Sequence, residues 1–572
     1  MMGVRKSYMK YKIFSPNILK TGLFTVISKD NVDKNARSNF VTSHFHGTSI
    51  TILQHKKESN HGESLPPVQT SSEPLQSKSR KLPPLPEEYS QLQSILPHEK
   101  DNKTVWAPLC SINIEDLTAF LAWEKGVRDE RGWLTKLGLD FQSENGIING
   151  WSSHHASQER ALKRPPGINS LAPLLHDKVE TFAMQAHCMI INQKTVEVLN
   201  PGQTPVDHCD CPVYAISKTI QFRYPSLFQN YLSMLGDLHS EQVFLVMHGE
   251  LINGSGLKEL IKIHKFTTIN VSSVVDASQI KAARYGLQVL LSALFLKLQD
   301  ACKDSGMDPF VWLDEKAKSN DMCFILNTLM QFQINVLLFV RSIREGNLSL
   351  YIEVLRKLLP WLFAKDHIFY RRWMTVYFFD LITLELKFPD LYREMNEGCF
   401  TFQKSERRFS MMAVDQVHEQ NNRIIKGAGG AANFLNLNDE SALVRWETTG
   451  AELALRVGSF EENLPQANSS DHAKSKHHHH EESPAFQKRF DSDVKTMYNA
   501  MYQNPFQYEK AAKFNDSNQI VDDTVVNDFK LAQSLGTKQY TLFLQDRLIY
   551  SKTPVSDTLR NNNLCFRISL IQ

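Results

Sequence analysis

Val26-Ile27-Ser28-Lys29-Asp30-Asn31-Val32-Asp33-Lys34-Asn35 reads as an apolar strand that ends in two carboxylates. Its counterpart lies far along the chain, in Val414-Asp415-Gln416-Val417-His418-Glu419-Gln420-Asn421-Asn422. There Asp415, His418, Glu419 and Asn422 fall at i, i+3, i+4 and i+7, which is one face of a helix. A carboxylate at a strand end and another on a distant helix can meet over one divalent ion. Such ions take hard oxygen ligands. The pair therefore points to metal-dependent phosphoryl transfer, or to what remains of it.

Working outward, Leu23-Phe24-Thr25-Val26-Ile27 and Thr48-Ser49-Ile50-Thr51-Ile52-Leu53 predict two strands within 17–55. Residues 56–104 are rich in Ser, Pro, Lys and Glu and include Leu82-Pro83-Pro84-Leu85-Pro86, which predicts a linker with polyproline character. Residues 123–139 predict a helix. Three runs within 176–200, at 180–186, 188–191 and 195–199, read as strands closed by a turn at Pro201-Gly202. Helices are expected at 213–224 and 241–253, on either side of the apolar run Leu232-Ser233-Met234-Leu235. From 276 to about 396 nearly everything is helix-periodic, in segments 279–303, 322–344, 347–364, 367–384 and 389–396.

The motif helix is expected over 411–426, ending at Gly427, with Val414, Val417, Ile424 and Ile425 toward the core. Helix is expected again at 440–460. The tract 462–484, with His477 to His480, reads as flexible. The resulting division is a tail at 1–16, first strands at 17–55, a linker at 56–104 and continuing core at 105–275. A helical insertion at 276–400 follows, then the motif region at 401–460, a His-containing loop at 461–485 and a helical C-terminal region at 486–572.

The totals narrow the function classes. The chain has 572 residues, with 42% hydrophobic and 22% charged residues, as in a globular protein. Lys and Arg number 64 against 62 Asp and Glu, a formal charge of +2, so no global field draws the chain to DNA or an anionic membrane. Nucleic-acid contact must then come from local patches. Seven of the eight cysteines are scattered, without a dense disulfide framework, which predicts a nuclear or cytoplasmic protein. The start carries basic residues but only short apolar pieces, and no signal peptide is expected. Residues 323–340 are apolar enough to suggest a membrane span. Asn327, Gln331, Gln333 and Asn335 within them would be costly in lipid, so a buried core helix and no membrane contact are expected.

Each chemistry-bearing segment also has a plainer reading. Asp30 and Asp33 could simply start a turn. Asp207-His208-Cys209-Asp210-Cys211-Pro212 gathers several ligand types, yet Pro212 suits a first helical turn, and Asp210 would cap it. Zinc on Cys209, Cys211, His208 and His239 is not expected, because no second Cys pair exists. His239 and Glu241, in Gly236-Asp237-Leu238-His239-Ser240-Glu241, are ligands or supporting groups, although a lone His is more often structural. A solvated face is the plain reading of the motif helix. Lys426-Gly427-Ala428-Gly429-Gly430 follows a helix and lacks Gly-Lys-Ser/Thr, so it is no phosphate loop.

These segments together resemble a transposon-encoded protein family of aquatic invertebrate and fish genomes. The resemblance lies in Asp30-Asn31-Val32-Asp33-Lys34-Asn35 with Phe45-His46-Gly47-Thr48, Asp210-Cys211-Pro212-Val213-Tyr214-Ala215, Leu235 to Glu241, Gly254-Ser255-Gly256, Arg341 to Asn347, and Ala413 through Asn422 to Gly427. The order of features is similar to DDE/D transposases of the Kyakuja–Dileera–Zisupton type. That resemblance implies an α/β fold with an RNase H-like mixed sheet interrupted by a large helical insertion. It implies an acidic triad of Asp30, Asp210 and Glu419, with Asp33 and Asp207 as rivals for the first two places. His239 and His418 would assist catalysis, and Glu241 and Asp415 would help hold metal. Two Mg²⁺ or Mn²⁺ ions, a DNA partner (transposon ends or host DNA) and a homo-oligomer are further expectations. Arg341, Arg344, Arg371 and Arg372 would touch the DNA backbone. The family carries Gln and Gly where this chain has Cys211 and Asp237, and an N-terminal DNA-binding region that this chain is expected to lack. The protein is thus expected to be a transposase-like DNA strand cleavage and transfer core, active or inactive. The alternative is a non-catalytic helical interaction protein derived from a transposable element.

Overall fold

The computed structural model describes residues 18–34, 45–65, 86–92, 121–144, 146–161, 164–175, 177–253, 255–258, 275–426, 480–501, 503–514 and 516–544. Its centre is a five-stranded mixed sheet of β1 (Phe24–Lys34), β2 (Phe45–His55), β3 (Ile168–Leu171), β4 (Val206–Cys209) and β5 (Leu232–Leu235), in the spatial order β3-β2-β1-β4-β5. β1 pairs antiparallel with β2, and β2 antiparallel with β3. β1 and β5 both run parallel to β4. The expected strands at 23–27 and 48–53 are therefore longer than expected, and Asp30 lies within β1, not in a turn at its end.

The expectation of strands at 176–200 is overturned: 182–199 is one helix. It lies in the series α1 (Leu121–Gln142), α2 (Trp151–Ser157), α3 (Phe182–Leu199), α4 (Cys211–Arg223) and α5 (Asp237–Ile252). The Thr181 side chain caps α3 by accepting from the Met184 amide at 3.2 Å. Asn200 ends it, and Gly202 takes a φ of +84° in the turn that follows. Gln185, Cys188, Met189, Asn192, Val196 and Leu199 are all buried at three- and four-residue spacing. Burial nearly all round had hidden that period behind short apolar runs.

The helical stretch from 276 is as expected, with α6 (Ile280–Cys302), α7 (Asp321–Glu345), α8 (Leu348–Ala364) and α9 (Ile368–Ile382). Among the described residues, α7 is the one helix long and apolar enough to cross a membrane, but 78% of its most apolar window is buried inside the protein. Its amides have internal partners. Gln333 bonds His248 Nε2 at 2.9 Å, and Asn335 accepts from the Trp123 indole at 2.8 Å. The motif helix is α10 (Val414–Lys426), followed by α11 (Pro484–Ala500) and α12 (Asp523–Leu544). The expected helix at 440–460, His477 to His479 and most of the 56–104 linker lie outside the described residues.

Strand alternation gives the sheet two chemically different faces. Ile27 and Lys29 point to one, where α3 packs and brings Cys188 beside Lys29 and Asp207. Ser28 and Asp30 point to the other, which α10 covers. The Lys29 ammonium donates to Asp207 in a fully buried ion pair, and Tyr231 donates to the same carboxylate at 2.9 Å.

Candidate functional site

Asp210 follows the last residue of β4 and caps α4, accepting from the Val213 amide at 3.1 Å, with Pro212 in the first turn. The capping role expected of it is real, and it does not exclude a second one. Its charge reaches Asp30 on the neighbouring strand. Glu419 projects from α10 to the same place, and its side chain shares a hydrogen bond with the Asp30 carboxyl. Two carboxyls can share a hydrogen bond only around a proton. Burial first, then Glu419 and Asp210, push the Asp30 carboxyl up to about 8. Burial also raises Asp210 above the usual carboxylate range.

α10 reaches this position because its polar face is fixed to the sheet. His418 bonds the Thr51 hydroxyl through Nδ1 at 2.7 Å and the Ser49 hydroxyl through Nε2 at 3.0 Å. Ser49 donates to Asn422 Oδ1 at 2.6 Å, and Asn421 donates to Thr51 at 3.1 Å and to Asn169 at 2.9 Å. Ser49 stands directly opposite Asp30 in the β1–β2 register, so these bonds set Glu419 over Asp30. The solvated-face reading of α10 is thereby overturned. Val414 and Val417 do enter the core, beside Leu53 and Phe402, but the polar face is buried too. The Ile424 and Ile425 side chains lie outside the described residues. With both ring nitrogens engaged and the ring 1% exposed, His418 positions the helix and is not free to exchange protons with substrate.

Asp415 is not a free metal ligand. Its Oδ2 accepts from the Leu238 amide at 3.0 Å, the His239 amide at 3.3 Å and His239 Nδ1 at 3.1 Å. The carboxylate thus joins the start of α5 to the start of α10, a favourable place for negative charge. Burial opposes that charge, yet the His239 bond and charge and the Leu238 amide hold Asp415 below its ordinary value. Gly236 makes the approach possible, because a methyl group there would collide with Asp415 Oδ2. Burial would lower His239, but Asp415, followed by Asp210 and Asp30, raises it to about 9. It is a cation at neutral pH, facing the carboxyl group cluster.

Other expectations are corrected. Asp207 is spent on Lys29 across the opposite face of the sheet, so Asp210 is the residue gathered with Asp30. Glu241 is not with the cluster. Both its oxygens accept from Arg284, at 2.6 and 2.5 Å, a bidentate buried pair. Arg341 is buried among Asp129, Glu130 and Glu345 and cannot reach a DNA backbone, while Arg371 pairs with Asp366 at 2.5 Å. Asp33 continues β1 opposite His46, and its side chain lies outside the described residues. Cys209 and Cys211 are buried free thiols.

Two further neighbours of the site, Asp237 and His208, were named in the sequence without a role at the carboxyl cluster. Asp237 is fully buried, accepts from Tyr351 at 2.5 Å and is raised by burial and by Asp415. Its other oxygen has no hydrogen-bond partner among the described residues. His208 sits 0% exposed on the carboxyl-bearing face with neither ring nitrogen bonded among the described residues, and burial lowers it to about 4. The strand register places His208 beside Ser28, a position its sequence neighbours do not show.

Residues 316–560 match a family described as a domain of unknown function, DUF8702. The match takes in α7 through α12 and with them Glu419, but neither Asp30 nor Asp210. No curated protein and no solved structure matches the chain.

Proposed function

We propose that the protein is a transposase-like core for metal-dependent DNA strand cleavage and transfer, built on an RNase H-like sheet. One observation carries this reading. Asp30, Asp210 and Glu419 come from a central strand, the end of the adjacent parallel strand and a distant helix, and they meet in one half-buried cluster. The strand order β3-β2-β1-β4-β5, with only β2 running against the others, supports the fold assignment. The donor set fits Mg²⁺ or Mn²⁺: it is all hard oxygen, and its mutual repulsion is what a divalent cation relieves. Two such ions, held by Asp30, Asp210 and Glu419, would supply Lewis-acid activation of a water or 3′-hydroxyl and neutralise phosphate charge.

The chain's own groups have separate tasks. His239 holds its charge through Asp415 and, with its side chain 30% exposed, can meet a phosphate oxygen at the edge of the cluster. His418, Asn421 and Asn422 fix Glu419 over Asp30. Burial, followed by the charge of Asp415, raises the Asp237 carboxyl well above its ordinary value.

A second reading, a non-catalytic helical interaction protein derived from a transposable element, is favoured by one observation. Among the described residues, no three His, Cys, Asp or Glu side chains stand as a ready-made ion cage. Cleavage of labelled DNA by the purified chain separates the two readings. The nuclease reading expects products that require Mg²⁺ or Mn²⁺ and a loss of about a thousandfold in Glu419→Gln. A folded parent that yields no product with either ion leaves the interaction protein.

A further inference from the structure

α6, the C-terminal turn of α7, the loop at 404–412, α10 and α11 enclose a cavity of about 960 Å³. Gln416 and Gln420, the sequence neighbours of Asp415 and Glu419, form one wall. Six cationic side chains line it, Lys281, Arg284, Arg344, Lys404, Arg407 and Arg489, against three acids, Glu241, Glu481 and Asp493. This excess of three positive charges is larger than the formal +2 of the whole chain. The acids are already engaged: Glu241 by Arg284, Asp493 by Arg489 at 3.8 Å, and Glu481 by Arg344 at 3.5 Å. No carboxylate pairs with Lys281, Lys404 or Arg407 among the described residues. Among the described residues, the Lys404 ammonium donates only to the Gln420 amide oxygen, at 2.6 Å.

The floor is built and not a chance meeting of surface chains. Arg344 is 8% exposed and donates to Ser152 at 2.6 Å, and its guanidinium lies over the Trp151 and Phe409 rings at 5.3 and 5.4 Å. Burial weakens its hold on its proton, and Glu481 and Glu241 only partly oppose that. A cleft whose lining carries a net excess of one sign of charge concentrates the opposite ion.

We propose that this cavity binds a run of phosphates, with Arg344 at its floor and Lys281, Lys404 and Arg407 around its mouth. Planar guanidinium groups suit phosphate oxygens, and several convergent cations favour a polyphosphate over a single anion. The run could belong to a nucleic-acid strand or to a free nucleoside polyphosphate, since both present the same oxygens. The inference does not depend on the carboxyl cluster being catalytic.

The test is binding in EDTA, where no divalent ion bridges ligand to protein. Calorimetry would follow tripolyphosphate and ATP, and fluorescence anisotropy a labelled single-stranded oligonucleotide. The parent chain should bind tripolyphosphate. Lys404→Gln/Arg407→Gln, altered at two exposed positions, should bind it at least about tenfold more weakly, while Arg393→Gln, an exposed change outside the cavity, should bind as the parent does. If the oligonucleotide also binds, is displaced by tripolyphosphate and is weakened by the double variant, the occupant is a strand. If only tripolyphosphate and ATP bind, it is a free polyphosphate. Circular dichroism keeps the comparison to folded proteins. Absence of tripolyphosphate binding, or equal affinity in the double variant, overturns the proposal.

Discussion

Lys29→Met is expected to cost the fold about 3–5 kcal/mol, enough to threaten a domain of ordinary stability. Lys29 and Asp207 are 1% and 0% exposed, between the sheet and α3. With the ammonium gone, Asp207 keeps only the Tyr231 hydroxyl, at 2.9 Å, and its Oδ1 has no partner already. The buried charge must then go unpaired or take up a proton, and either is costly. Removing both partners is different: Lys29→Met/Asp207→Leu should recover most of the loss, because no charge is stranded. Urea unfolding of the two variants and the parent measures this coupling. If Lys29→Met falls within about 1 kcal/mol of the parent, the pair is not the buried contact described. The same logic explains why Asp207 does not join the candidate site: one residue along a strand reverses the face.

Asp30→Asn is expected to make the metal-free protein more stable at pH 8 while leaving it nearly unchanged at pH 4. Asp30 holds its proton to about 8 when folded, against an ordinary value of 3.8. Between those values the unfolded chain releases the proton and the folded chain does not, so the folded state loses ground as pH rises from 4 to 8. Asn carries no such proton and keeps a hydrogen-bonding group for Glu419. A gain on the order of 1–3 kcal/mol at pH 8 follows, shrinking toward zero at pH 4. His239, raised to about 9, adds loss of the same sign above its ordinary 6.5, and the larger causes of its shift, Asp415 and then Asp210, are common to both proteins. Asp415, held low, acts at the acid end, where its stabilisation disappears as pH falls. Thermal melts in EDTA across this range provide the comparison. A difference between the two proteins that stays constant from pH 4 to 8 contradicts the proton-sharing cluster.

Much of the frame could be read from residue order. The β-branched runs around Ile27 and Ile52, the periodic stretch from 276 and the Asp210-Pro212 helix start each carry a local signal that the fold obeys. α3 escaped because it is buried on most sides, which removes the polar stripe that marks a helix. For the site, Asp30, Asp210, His239 and Glu419 were all named from sequence. What sequence could not supply was the partner of each charge. Glu241 and Arg341 looked available, but Arg284 and Glu130 neutralise them from elements remote in sequence. The polar face of α10 looked solvated because Ser49 and Thr51, which receive it, carry no sign of facing a helix. Gly236 likewise has meaning only once Asp415 is known to lie against it.

The central claim is that Asp30, Asp210 and Glu419 form one divalent-cation site. Its most direct measurement is Mn²⁺ binding, by electron paramagnetic resonance and calorimetry, to the parent chain and to Glu419→Gln at pH 8. The account predicts saturable binding of one or two ions by the parent, release of the proton shared by Asp30, and loss of at least about tenfold in affinity in the variant. A folded parent that binds no Mn²⁺, or a variant that binds it equally well, contradicts the account.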